Sequence, residues 1–237
     1  MKGLIQKIFK IFGYQVVNID TLLNVSLSSE ENIRKLCDIK SDLIIFDVGA
    51  HIGQSAKKFR KIFKKAEIYS FEPYLKSYET LSSLSIDKFR AYNFGFSNIK
   101  SHQKFSINSK SSTNSLLTFS KSNVWGFKKS DNLTTIDCNF DTIDNFCNSN
   151  SIELIDFIKI DVQGAEYLVL GGAKETLLNK KIKVLQFEVI IGDTYKGQKS
   201  IGFYINLLEK YGYKLTNFSD VVIRDGVLIQ TDLFFTR

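Results

Sequence analysis

Residues 43–56 read Leu-Ile-Ile-Phe-Asp-Val-Gly-Ala-His-Ile-Gly-Gln-Ser-Ala. The first six make a short, nearly all-apolar run, the pattern of a strand buried on both faces. Gly49 and Gly53 follow at once. Neither carries a Cβ, so the backbone can turn tightly there and let a ligand approach it. Between Gly53 and Lys65 the apolar residues Ala56, Phe59 and Ile62 recur at helical spacing. A buried strand, a glycine turn and a helix in that order predict a layered α/β fold.

The alternation continues outward. Glu67–Phe71 reads as a strand, Tyr74–Leu84 as a helix and Phe89–Phe94 as a third strand. Ile155–Asp161 is another apolar run, with one helix predicted after it through Leu178. Val184–Ile190 is a further buried strand, and Ile201–Tyr211 a helix. Strands separated by helices predict a doubly wound, mostly parallel sheet, with ligands bound beyond the carboxyl ends of its strands. Near the C-terminus two strand-like runs, Tyr213–Phe218 and Val227–Thr236, flank Arg224-Asp-Gly226. Asp-Gly is a strong turn signal, so the chain is expected to finish as an antiparallel hairpin. One stretch breaks the alternation: residues 97–123 are crowded with Ser, Asn and Lys before the strand-like Leu133–Cys138. Two readings stay open. The stretch is a long loop or hairpin, or it belongs to a polar insertion, about residues 97–140, over the rim of a site. Phe119, Trp125 and Phe127 give it apolar anchors.

Composition narrows the function classes. Of 237 residues, 43% are hydrophobic and 24% charged, which argues against a collagen, a disordered tail or a multi-pass membrane protein. Three Cys without metal-ligand spacing and two His argue against a disulfide scaffold and a His-rich metal centre, and suit a reducing compartment. The net charge of +7 is mostly spread-out Lys. Its densest run, Lys57 to Lys65, is interleaved with apolar residues and reads as a helix with a solvated face. The aromatics are mainly Phe in core-like runs, without the aromatic–basic interleaving of RNA platforms, so no nucleic-acid partner is expected.

At the N-terminus Leu4, Ile5, Ile8, Ile11 and Phe12 form one helical stripe, with Lys2, Lys7 and Lys10 mostly off it. Lys7 and Lys10 break the apolar run, against a signal peptide, and nothing is long enough to span a bilayer. Residues 1–40 therefore read as an amphipathic helix with a helical cap, and residues 41–237 as the main domain. The stripe docks on that domain or on a second copy in a homodimer. Alternatively it lies in a membrane interface, which would place a cytoplasmic protein at the inner face of the membrane.

The chemistry-bearing residues sit at the strand ends. Phe71-Glu-Pro73 closes the second strand, and an acid there, about twenty residues past the glycine turn, can accept hydrogen bonds from both ribose hydroxyls. The plainer reading is a tight turn with an unrelated surface Glu. Turn and acid in sequence order point to a nucleoside cofactor. The dinucleotide pattern lacks its central glycine, because Ala50 and His51 occupy that part of the turn, and no Walker pattern is present. S-adenosylmethionine fits better, since it has an adenosine and no phosphate. A nicotinamide-dependent oxidoreductase is the alternative.

Taken with Ile158-Lys-Ile-Asp-Val-Gln-Gly-Ala-Glu166 and Val169-Leu-Gly-Gly-Ala173, these motifs resemble the FkbM-type methyltransferases from about Asp42 to Gly192. The resemblance implies a class I S-adenosylmethionine fold with a seven-stranded sheet. It also implies methyl transfer to a small-molecule or glycan hydroxyl. The family's third block commonly reads Asp-Val-Glu-Gly, where this chain has Gln163. Carried over, Asp47, Gly49, Ala50 and Gly53 line the methionine end, with His51 inside the same turn as a base or a packing residue. Glu72 holds the ribose, and Asn93, Gly95 and Phe96 lie near adenine. Lys159 and Asp161 end the strand whose tip faces the sulfonium. Asp161 is the general base, or else a helix cap or a ligand-positioning carboxylate. Glu166 and Glu188 match acidic positions, Glu188 on the acceptor side. The chemistry requires no metal. A non-catalytic binding protein on the same fold remains a third reading, invited by Gln163.

Overall fold

The structure is a computed structural model that describes residues 28–38, 41–121, 126 and 131–237. The N-terminal stripe, Trp125 and Phe127 lie outside the described residues. In chain order the elements are α1 (Ser29–Leu36), β1 (Ile44–Val48), α2 (Gln54–Ile62), β2 (Glu67–Phe71), α3 (Leu75–Ser82) and β3 (Phe89–Tyr92). Next come β4 (Gly95–Phe96), β5 (Ser101–Asn108), β6 (Asn132–Asp141), α4 (Ile143–Ser149), β7 (Ile155–Ile160), α5 (Glu166–Gly171) and α6 (Lys174–Leu178). The chain closes with β8 (Ile182–Ile190), α7 (Ile201–Lys210), β9 (Lys214–Arg224) and β10 (Val227–Thr236).

A seven-stranded sheet runs β3-β2-β1-β7-β8-β10-β9. The first five strands are parallel, and β10 enters antiparallel between β8 and β9. The C-terminal hairpin turns at Asp225 and Gly226, both with positive φ (50° and 77°). That is the backbone twist a tight hairpin needs. The strand order reverses beside β1, which opens a crevice at the carboxyl ends of β1 and β7.

Both faces of the sheet are covered, which explains the unbroken apolar runs. On one face Phe46, Val48, Ile158, Ile160, Leu185 and Phe187 pack with residues of α4, α5 and α7. On the other, Ile45, Phe157, Val184 and Phe234 meet Ala56, Phe59 and Ile62 of α2 and Ile33 of α1. Phe46 is wholly buried among Tyr69, Phe71, Phe96 and Phe146, so truncating it to Ala should cost about 3–5 kcal/mol. Toward the carboxyl ends the second face turns polar. Ser70, Asp47, Lys159 and Gln186 lie side by side on β2, β1, β7 and β8, forming a polar row at the base of the crevice.

The helix α1 begins with a reciprocal cap between Ser28 and Glu31. It docks through polar contacts: the Ser29 hydroxyl lies 2.9 Å from that of Ser219, and Asn217 donates to Asn32.

One expectation changes, and one open reading narrows. The helix predicted through Leu178 is two short helices, broken at Gly171-Gly172. A Cβ on Gly172 would stand 2.1 Å from the Ser97 carbonyl oxygen, so only glycine lets these backbones cross. The polar stretch after Ser97 is not a plain loop. Strands β5 and β6 pair antiparallel, and β4 joins β6 to complete a three-stranded sheet over Phe105, Ile107, Cys138 and Phe140. Part of the connection, including a single 3-10 turn at Ser111–Thr113, lies over the crevice.

Candidate active site

The crevice holds about 930 Å3 of atom-free space, counting its open mouth. Its floor is the glycine turn after β1. Gly49 has φ +79°, and a Cβ there would stand 1.9 Å from the Asp161 carbonyl oxygen. Gly53 has φ +87°, and its Cβ would meet Leu84 at 2.3 Å. The turn is stitched to β2: Gly49 N and Ala50 N both donate to Phe71 O, at 3.0 and 3.1 Å. The Glu72 carboxylate accepts from His51 N and from Tyr74 N, each at 2.9 Å. The predicted acid and the predicted turn are therefore in direct contact.

Of the residues singled out from sequence, Gly49, Ala50, His51, Glu72, Gly95, Phe96, Lys159 and Asp161 line the crevice. Four do not. Asp47 is wholly buried beneath it, with the Ser70 hydroxyl donating to one oxygen at 3.5 Å. Gly53 starts α2 as its cap. Asn93 ties down the acidic turn, donating to the carbonyls of Glu72 and Pro73 at 3.0 and 3.3 Å. Glu188 lies one side chain away, bonded to Gln163 and Gln230.

Gln163 joins the acids. Its amide nitrogen lies 2.9 Å from Asp161 Oδ1 and 2.8 Å from Glu188 Oε2. Its amide oxygen lies 3.1 Å from the Tyr195 hydroxyl, which is also 3.0 Å from Thr113 O. The other Asp161 oxygen pairs with Lys159 Nζ at 2.8 Å. Above them sits the roof, Ser111–Leu116. It is held to the floor by Ser111 Oγ at 2.8 Å from His51 Nε2, and by Ser115 donating to Gln163 O at 2.9 Å.

A family model, the methyltransferase FkbM domain, matches residues 47–215, well over half of the chain. The chain belongs to the FkbM methyltransferase family. A curated relative is the 2-O-methyltransferase NoeI of Sinorhizobium fredii, 26% identical over 73% of this chain and 73% of its own. Among solved structures the chain is similar to TrmK of M. capricolum bound to S-adenosylhomocysteine (TM-score 0.48, 10% identity, 89% of this chain and 68% of that one). It is likewise similar to the Methanococcus jannaschii fibrillarin pre-rRNA processing protein (TM-score 0.48, 14% identity, 84% and 67%). As an FkbM methyltransferase it takes its methyl group from S-adenosylmethionine.

The donor set fits that cofactor. Each Glu72 oxygen accepts one backbone N–H, which leaves acceptor capacity for two ribose hydroxyls. Pro73, Phe96, Phe105 and Phe140 give an apolar wall suited to adenine. Among the lining residues Lys159 is the one Lys or Arg, and it is paired with Asp161, so no free cation faces a pyrophosphate. This weakens the nicotinamide reading. Among the described residues no three His, Cys, Asp or Glu side chains group to hold a metal.

Burial raises the Glu72 carboxyl to about 7 even against the Tyr74 and His51 amides, and the Asp47 carboxyl to about 6. Asp161 goes the other way. Burial opposes its ionisation, but the Lys159 ammonium and the Gln163 amide hold it below the usual carboxylate range. Glu188 is pushed well above its usual value by burial and then by Asp161 and Glu166. Burial holds His51 below its usual value. Glu166 is a clasp rather than a helix-end charge alone: it accepts from Val162 N and Gly164 N at 3.2 and 3.1 Å and closes the turn after β7. Burial lifts its carboxyl to about 7.

Phe105, Phe140, Asn114 and Tyr195 escaped sequence reading. The apolar–polar alternation of Phe105-Ser-Ile-Asn108 was a signal for the first. Phe140 and Tyr195 contact partners far along the chain, and Asn114 bonds Asn108 within an irregular stretch, so no sequence period marks these contacts.

Proposed function

We propose that this methyltransferase transfers its methyl group to a hydroxyl oxygen of a sugar or glycan. Similarity to a 2-O-methyltransferase supports oxygen as the acceptor atom. The observation that carries the reading is the Asp161–Lys159–Gln163 group at the tip of β7, beside the end of the crevice left after an adenosine is placed between Glu72 and the Phe wall. Bound S-adenosylmethionine would supply a methyl group on a cationic sulfur, which the acceptor oxygen takes in line as the C–S bond breaks and neutral S-adenosylhomocysteine is left. The chain's task is then alignment, and proximity with orientation can provide several kcal/mol of the barrier or more, up to about 7–11.

Asp161 is a weak base, because Lys159 and Gln163 stabilise its ionised form. It suits a carboxylate that accepts the hydroxyl O–H bond, orients an oxygen lone pair, and receives the proton as positive charge builds on that oxygen. Lys159 and Gln163 keep it ionised and fixed. Glu188, whose charged form burial disfavours, lends Gln163 a second anchor. The proposed domain for this work is residues 41–237, with 97–140 as the rim.

The test has two arms. Calorimetry with S-adenosylhomocysteine should show binding by the wild type. Mass spectrometry of glycans from cells with and without the protein should differ by about one methyl mass. Unchanged glycans with intact cofactor binding would direct the search to another hydroxyl-bearing acceptor.

A further inference from the structure

Asn114 sits in the roof, 91% buried and lining the crevice. Its side-chain oxygen accepts from Asn108 N at 2.8 Å, which fixes the amide's orientation. Its Nδ2 is buried and has no hydrogen-bond partner. Several buried side-chain polar atoms lack partners among the described residues, but only the Asn114 atom belongs to a residue that lines the crevice. A buried donor left unpaired is costly, so a site that retains one invites an acceptor.

The position says which acceptor. The residue after Asn114, Ser115, donates to Gln163 O, and the residue before it, Thr113, offers its carbonyl to Tyr195. Ser111 reaches His51 in the glycine turn. Asn114 thus stands over the Gly49–Asp161–Gln163 end, whereas the ribose acid Glu72 and the Phe wall mark the other. With the adenosine there, the amino-acid part of the cofactor points toward Asn114. That part carries a carboxylate, which needs donors. The floor has few to give. The amides of Gly49, Ala50, His51 and Gly53 are all bonded within the protein, to Phe71, Phe71, Glu72 and Ala50 respectively. The Gln163 amide already serves Asp161 and Glu188, and Lys159 serves Asp161. The start of α2 at Gln54, another lining residue, adds the favourable end of a helix dipole.

We propose that the Asn114 amide donates to the α-carboxylate of S-adenosylmethionine, so that the rim insertion closes the amino-acid end of the cofactor site. This rests on the cofactor lying in this crevice with its ribose at Glu72. The contact comes from the insertion rather than from the glycine turn, whose amides are bonded within the protein.

Asn114→Asp is the decisive variant. It is the same size and keeps an oxygen for Asn108 N, and it replaces the free donor with a second oxygen facing the carboxylate. Three probes are titrated by calorimetry into wild type and variant: S-adenosylhomocysteine, its decarboxylated amine S-adenosyl-3-thiopropylamine, and 5′-methylthioadenosine. The expected result is at least a tenfold loss for S-adenosylhomocysteine in the variant, from a lost charge-assisted bond. Binding of 5′-methylthioadenosine should stay within about twofold, which also shows that the crevice is folded. The decarboxylated amine should bind the variant at least as well as the wild type. Equal loss for all three probes assigns Asn114 to the adenosine or to folding and overturns the inference. Unchanged S-adenosylhomocysteine binding overturns it too, and leaves Asn114 facing the acceptor. Wild type that binds none of the three removes the crevice reading itself.

Discussion

The two walls of the crevice are built by opposite means. The floor is backbone. Its glycines cannot carry a Cβ, its amides are bonded to β2 and to Glu72, and it rests on strands buried on both faces. The roof is held by side chains: Ser111 to His51, Ser115 to Gln163, and Tyr195 to Thr113. A wall of the first kind is rigid and intolerant of change. A wall of the second kind depends on bonds worth about 0.5–1.5 kcal/mol each, so it can be altered piece by piece. That division suits a fixed cofactor turn below and, above it, a rim that can vary around the one contact proposed for Asn114.

The contrast is broken most severely at Gly49. Ala there meets the Asp161 carbonyl oxygen at 1.9 Å and must hold φ near +79°. Strain and overpacking together amount to roughly 3–5 kcal/mol. Gly49→Ala should therefore lose S-adenosylhomocysteine binding and melt well below the wild type by calorimetry. A variant with normal binding would mean that the floor is more compliant than its geometry implies.

Glu72→Gln probes the same floor by charge. With a carboxyl at about 7 in the folded protein, Glu72 is partly protonated near neutrality. Ribose hydroxyls donating to it favour the ionised form. Cofactor affinity should thus rise with pH through about 7, with proton release visible as a buffer-dependent binding enthalpy. The stability sign is the reverse. The contribution from this raised pKa is fully present below about 4.5 and is lost as pH rises through 7, at most about 3 kcal/mol. Glu72→Gln should flatten both dependences and weaken S-adenosylhomocysteine about ten- to hundredfold. Equal pH slopes in the two proteins would place the titration on another group.

Gln163→Glu tests the joint between the walls. A carboxylate there would face Asp161 and Glu188 at the distances where the amide now donates to both. Its pKa should rise, so the loss of stability should be about 1–3 kcal/mol at pH 8 and largely vanish near pH 5. Thermal melts at the two pH values read this directly. A pH-independent loss would mean that shape, not charge, makes Gln necessary.

How far the sequence was readable follows the same line. The floor announced itself because backbone demands leave marks in one short window. An apolar run, two glycines and an acid after the next strand sufficed to place the crevice and to bring Glu72 to His51. The sheet followed from strand–helix alternation, and its last hairpin from Asp225-Gly226. The break at Gly171-Gly172 was missed because its cause, the Ser97 carbonyl, lies far along the chain. Asp47 and Asn93 sit in the right motifs yet do not line the crevice, Asp47 lying buried beneath its floor and Asn93 bonded to the acidic turn. Motif membership fixes a residue's place on a strand, whereas the face it presents depends on the register of its neighbours. The roof was least readable, since Ser115 and Tyr195 reach it across long separations and Asn114 bonds only to Asn108 within a stretch without a regular period.

The smallest expected effect is at Ser111. Its hydroxyl meets His51 Nε2 at 2.8 Å in a half-buried spot. Burial keeps His51 below its ordinary value, so near pH 7 the ring is neutral and the bond joins two neutral groups. Such a bond contributes about 0.5–1.5 kcal/mol, and water can replace part of it. Ser111→Ala should lower the melting temperature by a few degrees at most and weaken S-adenosylhomocysteine by less than about threefold. The sign with pH is fixed as well. A His with a lowered folded pKa favours the native state above its unfolded value, and that advantage fades as pH falls. Because the charged ring still donates from Nε2 to the Ser111 hydroxyl, the difference between variant and wild type should persist in acid. A tenfold loss of affinity from this one hydroxyl would mean that the Ser111 tie holds the cofactor site as firmly as the proposed Asn114 contact, and the rim could no longer be altered piece by piece.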